Sequence, residues 1–194
     1  MPDFSNSDIP WSAWVYREEF RRTYFVSFCF LIQLQMLLDI PTSMPVSEVS
    51  LPLPSSEEEW SAESAEQWET LQNSPTCPPT PLFLTAFESL FAGSVECIHR
   101  YSEFGGYVMI SALQSAVLNG YHLGVTPAMS IDWKKFDASL DNWQRSWNAD
   151  PKSHSTGPSS PFGAMAFNAS AIYRATNIRR VRDYSRSDSF LECY

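Results

Sequence analysis

Residues 23–38 contain no charged side chain, and the turns just before them, from Arg17 to Arg22, are dense with charge. "REEFRRTYFVSFCFLIQLQMLL" is therefore polar at its front and apolar at its back. Helical spacing leaves its rear half apolar nearly all round, which calls for neighbours on several sides. Three destinations fit such a segment: a membrane span with basic flanks, a basic element that touches nucleic acid, or a buried helix. The apolar run Tyr24 to Leu38 is 15 residues long and is broken by Ser27, Gln33 and Gln35. A span needs about 20 predominantly apolar residues, and shorter runs more often belong to cores. The arginines sit among acids in a chain of net charge -9, whereas phosphate binding draws on surplus Lys and Arg. The buried helix is the reading adopted.

That helix is expected over residues 11–38, opening near Pro10-Trp11 with Asp8 as cap and closing before Pro41. Prolines then divide the chain, which is read as one helical domain over 1–194 with internal loops at 41–54, 74–81 and 151–161. "SSEEEWSAESAEQWETLQ" reads as one helix: Ser56 and Glu59 form a capping box, and Trp60, Ser64, Trp68 and Leu71 share a face. Thr80-Pro81 is expected to cap a helix through about Ala92. Another runs from Glu103 to Leu123, its start weakened by Gly105-Gly106. Trp133, Phe136, Leu140, Trp143 and Trp147 follow at spacings of 3 and 4, one apolar stripe. A last helix is expected over 162–184. No alternating strand pattern of useful length and no heptad array stands out, so the predicted class is all-α, a bundle-like body with proline-rich connectors.

The residues carry no catalytic signature. There is no Gly-rich phosphate loop, no G-x-S-x-G and no H-E-x-x-H. His99 and Glu103 are four apart, a pair more common on a solvated helix face than in a general base. The cysteines Cys29, Cys77, Cys97 and Cys193 lack the paired spacing of zinc sites and read as free thiols. Glu57, Glu58 and Glu59 suit a helix N-terminus better than a metal. Arginines 174, 179, 180, 182 and 186 read as a solvated helix end rather than a phosphate contact. Catalytic, cofactor and metal residues are therefore assigned to none. The alternatives kept open are a small-molecule-binding protein or enzyme with an aromatic-lined pocket, and a membrane-associated helical protein.

The order of several short motifs resembles the regulatory middle region of fungal-specific transcription factors, the type named after xylanolytic activators. The features are Trp11 and Trp14; Glu19, Arg21, Arg22 and Thr23; Glu48 with Leu51-Pro52-Leu53-Pro54; and Trp60. "EFGGYVMISALQSAV" and "SLDNWQRSWNADPKS" extend the resemblance, especially to members with C2H2 zinc fingers. The resemblance implies a non-catalytic helical domain of a nuclear regulator of RNA polymerase II transcription. It implies a structural motif made of Trp14, Glu19, Arg21, Arg22, Thr23, Pro52, Pro54 and Trp60. It also implies that zinc and DNA are bound by a separate N-terminal C2H2 or Zn-cluster module, with no cofactor in this chain. No direct nucleic-acid contact and no membrane partner is expected, only proteins of the transcription machinery or self-association. Family members carry further helices before the Arg-Arg-Thr turn, so the chain reads as a truncated product that exposes apolar surface. Arg21 and Arg22 are expected to be structural. The options for them are a pairing of Glu18 with Arg22 at i, i+4, worth about 0.3–0.5 kcal/mol if exposed, or contacts to the "LPLP" connector or an acid of the second helix.

Overall fold

A computed structural model of the chain describes residues 9–38, 44–74, 80–92, 101–122 and 133–149. These residues form six α-helices: α1 (Trp11–Leu38), α2 (Glu57–Trp60), α3 (Ala65–Gln72), α4 (Phe83–Phe91), α5 (Glu103–His122) and α6 (Trp133–Ala149). A short 3-10 turn covers Val46–Glu48. Among the described residues the extended pairing is limited to a bridge between Pro52 and Leu82, so the class is all-α. No helix there is long and apolar enough to cross a membrane. The predicted helix over 162–184, its arginines, and Cys77, Cys97, Cys193 and His99 lie outside the described residues.

α1 is 28 residues long, about 42 Å at ~1.5 Å per residue. One face is fully buried through Phe25, Phe28, Cys29 and Ile32, yet the opposite face leaves Phe20, Val26, Phe30 and Leu37 exposed. The burial on several sides expected of its apolar half belongs instead to α5, where every residue from Phe104 to Ser115 is buried. The reason is side-chain size. Gly105, Gly106, Ser111, Ala112 and Ser115 let α1, α4 and α6 approach α5 closely, which the aromatic girth of α1 prevents. Two polar groups fix the approach. Gln35 on α1 donates to Asn119 on α5 at 2.8 Å, and the Trp143 indole donates to the Gly106 carbonyl at 2.8 Å.

α4 fills the remaining side with rings. Phe25, Phe83, Phe87, Phe91 and Phe136 form a chain of contacts with centroid separations of 5.7, 5.9, 5.3 and 5.4 Å. Of the α6 stripe, Leu140, Trp143 and Trp147 are buried and Phe136 partly so. Asn142 donates to the Leu90 carbonyl at 2.8 Å, which satisfies one open carbonyl at the end of α4.

Two helix boundaries depart from expectation. The run 55–72 breaks into α2 and α3. The Ser61 hydroxyl folds back onto the Glu57 carbonyl at 2.5 Å, and Ser64 starts a new helix by accepting from the Gln67 N–H at 3.2 Å. Trp60 and Trp68 consequently face different neighbours. α4 begins at Phe83, beyond Thr80-Pro81, with no side-chain cap. Its first N–H finds the Leu51 carbonyl at 3.0 Å instead.

Gly106 marks the closest approach: a Cβ there would run into the Trp147 ring. A glycine-to-alanine change inside a helix ordinarily stabilises by about 0.5–1 kcal/mol. Gly106→Ala should instead destabilise by about 1–3 kcal/mol through overpacking, read as a lower midpoint in urea unfolding. Burial pushes the Cys29 thiol up to about 12, so it stays protonated at pH 8. Iodoacetamide at that pH should leave Cys29 unmodified in the folded chain and alkylate it in denaturant, as peptide mass mapping would report.

Candidate functional site

The densest polar site of the described residues is built on Glu18. Its side chain is wholly inaccessible to water. An isolated buried carboxylate costs several kcal/mol, so it must gather donors. Helix geometry supplies two, since Arg21 and Arg22 lie three and four residues on and share its face. Arg21 Nη1 donates to Glu18 Oε2 at 2.7 Å, and Arg22 Nε donates to Glu18 Oε1 at 3.0 Å. The Ser55 backbone N–H adds a third bond to Oε1 at 3.0 Å.

Both arginines then reach outward from α1. Arg21 Nη1 donates to the Leu53 carbonyl at 3.4 Å. Arg22 Nη2 donates to the Ser55 carbonyl at 3.0 Å, and its Nη1 and Nη2 clasp the Glu57 carboxylate at 3.1 and 3.3 Å. The same guanidinium lies over the Trp60 ring, 4.9 Å from its centroid, with the Phe104 ring at 5.8 Å. Lysine offers no planar fork and could not serve these partners together. Burial draws the Arg21 guanidinium below its ordinary pKa, while Glu18 and then Glu59 pull it back up.

These donors and acceptors account for the Leu51-Pro52-Leu53-Pro54 connector. Residues 52–55 are buried in extended form without a sheet around them. A buried backbone needs a partner for each N–H and carbonyl. Pro52 and Pro54 remove two N–H groups outright. Leu53 donates to the Pro81 carbonyl at 2.9 Å, and the Leu51 carbonyl accepts from Phe83. The Pro54 carbonyl accepts from the Ser102 hydroxyl at 2.9 Å, and that hydroxyl also caps α5 by accepting from Gly105 at 3.0 Å. One extended segment thus joins α1, α4 and α5.

The second helix pair is tied on through Glu59. Its carboxylate accepts from the Ser56 N–H at 3.0 Å while its own N–H donates to the Ser56 hydroxyl at 3.2 Å, completing a capping box. Gln72 at the end of α3 donates to the other Glu59 oxygen at 2.6 Å. Trp14 and Trp68, with centroids 5.3 Å apart, close a smaller apolar cluster with Ala62.

Of the motif residues predicted from the sequence, Arg21, Arg22, Pro52, Pro54 and Trp60 converge on one place. Trp14 sits one turn before Glu18 on α1, in the smaller cluster, and Thr23 is exposed, its carbonyl accepting from Ser27. Glu19 faces solvent; the carboxylate at the centre is Glu18. Glu19 stands only two residues before Arg21, which at 100° per residue turns it off the shared face. The expected i, i+4 pairing of Glu18 with Arg22 is present, and the arginines also reach the connector and an acid of the second helix. Ser55 and Ser102 had no signal in the sequence, because their roles depend on where distant segments meet. Among the described residues no group of three or more His, Cys, Asp or Glu is placed to hold a metal ion.

Glu18→Ala would leave two arginines near each other without their shared anion, and should cost about 3–5 kcal/mol in chemical denaturation. Glu19→Ala, one residue along, should change stability by less than about 0.5 kcal/mol. Equal effects of the two substitutions would refute the hub.

Searches of curated proteins and of solved structures gave no match. The family model described as fungal specific transcription factor domain does match, over residues 2–145. That span takes in the Glu18 hub, the proline connector and all of α1 to α5, and the chain belongs to the fungal specific transcription factor domain family.

Proposed function

We propose that this chain is the non-catalytic regulatory body of a nuclear transcription factor acting on RNA polymerase II genes. The family match supports the link to transcription. The observation that carries the non-catalytic reading is how the charged groups of the hub are used. Glu18, Arg21, Arg22 and Glu57 are engaged with one another and with backbone carbonyls, under the Trp60 ring. A catalytic site keeps a titratable group and an open face ready for substrate. This cluster instead spends its bonds on holding α1, the connector and α2 together.

In this reading DNA and zinc are handled by a separate C2H2 or Zn-cluster module, and the helical body sets the output of the factor by contacts with other proteins. The aromatic stripe that could have lined a ligand pocket packs against α4 and α5 through Phe136, Trp143 and Trp147. Its rings serve packing, so the pocket alternative gains nothing from them.

The test is a fusion of the chain to a heterologous DNA-binding module in a fungal reporter strain. Reporter output should differ at least several-fold from the module alone, in either direction, and Glu18→Ala should abolish the difference. Output equal to that of the module alone, from a folded fusion present in the nucleus, would overturn the regulatory reading.

A further inference from the structure

The outer face of α1 has a pattern that its sequence hides. Tyr16, Phe20, Thr23 and Ser27 continue as Phe30, Leu34 and Leu37, at successive spacings of 4, 3, 4, 3, 4 and 3. This is the a/d repeat of a helix that packs lengthwise on another. In the bare sequence it is masked, because the inward residues of α1 are apolar too. Burial separates the two sets: Phe25, Phe28 and Ile32 face the core, while Phe20, Phe30 and Leu37 are 59%, 60% and 78% exposed. Val26, Leu31 and Leu38, which flank the seam, are also apolar and exposed.

We infer that this face is a dimer interface in which α1 packs lengthwise and antiparallel against α1 of a second copy of the chain. Three observations select that occupant. The first is area. With aromatic side chains at about 150–250 Å² each, the exposed fractions of the seam and its flanks sum to at most roughly 800 Å² per copy, enough to approach what each partner gives to a standard specific interface. The second is the fit of large to small. In the antiparallel register centred between Phe28 and Cys29, Ser27 lies opposite Phe30 of the second copy, Thr23 opposite Leu34, and Phe20 opposite Leu37. Each layer then pairs a small or medium residue with a larger one, as close packing requires. A parallel pair would stack Thr23 on Thr23 and Ser27 on Ser27, two undersized layers between layers of paired phenylalanines. The third is polarity. No charge occurs from Thr23 to Leu38, and the Ser27 hydroxyl already donates to the Thr23 carbonyl at 2.9 Å, so a ring can cover it without orphaning a donor.

The two-fold arrangement is closed, because each seam is used once and pairs with itself. It also leaves the Glu18 hub untouched, on the opposite side of α1. The inference deepens the regulatory reading by naming one partner, but it rests on the α1 surface and stands or falls separately from the reporter result.

The test uses the whole chain. Sedimentation at tens of micromolar should give twice the monomer mass of 22.0 kDa. Phe30→Glu should return it to a monomer with an unchanged helical circular dichroism spectrum. Mixed Ser27→Cys and Phe30→Cys chains should form a disulfide between position 27 of one copy and position 30 of the other, identified by peptide mapping against the wild-type background. A monomeric wild-type chain, its seam covered by some other segment, would overturn the inference. So would a dimer that survives Phe30→Glu, or crosslinks confined to 27–27 and 30–30 pairs.

Discussion

A carboxylate with no access to water dictates much of this structure. Glu18 projects from the buried side of α1, and burial of a charge is tolerated only with compensation. Arg21 and Arg22 bring that compensation from the same helix, and in doing so create two buried or half-buried cations with donors to spare. Those donors cannot be satisfied on α1 itself. They reach the carbonyls of Leu53 and Ser55 and the carboxylate of Glu57. A local charge pair thereby becomes a long-range constraint, joining residues more than thirty positions apart.

The connector is the reciprocal half of this arrangement. An extended segment buried outside a sheet is ordinarily costly, because its backbone groups lose water without gaining a ladder. Here alternate prolines lower the number of donors, and side chains from α1 and the start of α5 take up carbonyls. The result is a junction where α1, α2, α4 and α5 meet. Trp60 closes it from outside, stacked on the Arg22 guanidinium, and the break between α2 and α3 frees Trp68 to pack on Trp14.

The roles of α1 and α5 illustrate how much of this was legible in the residues. The bounds of α1, the capping box at Ser56 and the stripe on α6 follow from local rules, and they appear where those rules put them. Which helix occupies the centre does not follow from hydrophobicity. α1 is richer in aromatics, yet α5 is the one surrounded, because small residues permit close approach and large ones demand room. Gly105-Gly106 looked like a weak helix start and is in fact the place where Trp147 needs a missing Cβ. The site was legible in a similar measure. The arginines, the prolines and the Glu18–Arg22 pairing at i, i+4 stood out, while Glu19, which the resemblance puts in the motif, faces solvent.

Sequence alone determined that the chain is helical and that prolines divide it, and it singled out the Arg-Arg turn as a structural element. Those properties depend on interactions within a few residues: helical spacing, caps, proline's missing N–H. Tertiary structure decided which acid is buried, which carbonyls the arginines hold, which helix is central and which face of α1 is left open. Each of these depends on what lies opposite a residue in space. An apolar side chain has the same signature in a sequence whether it faces a core or a partner, and only the packing of the other helices tells them apart.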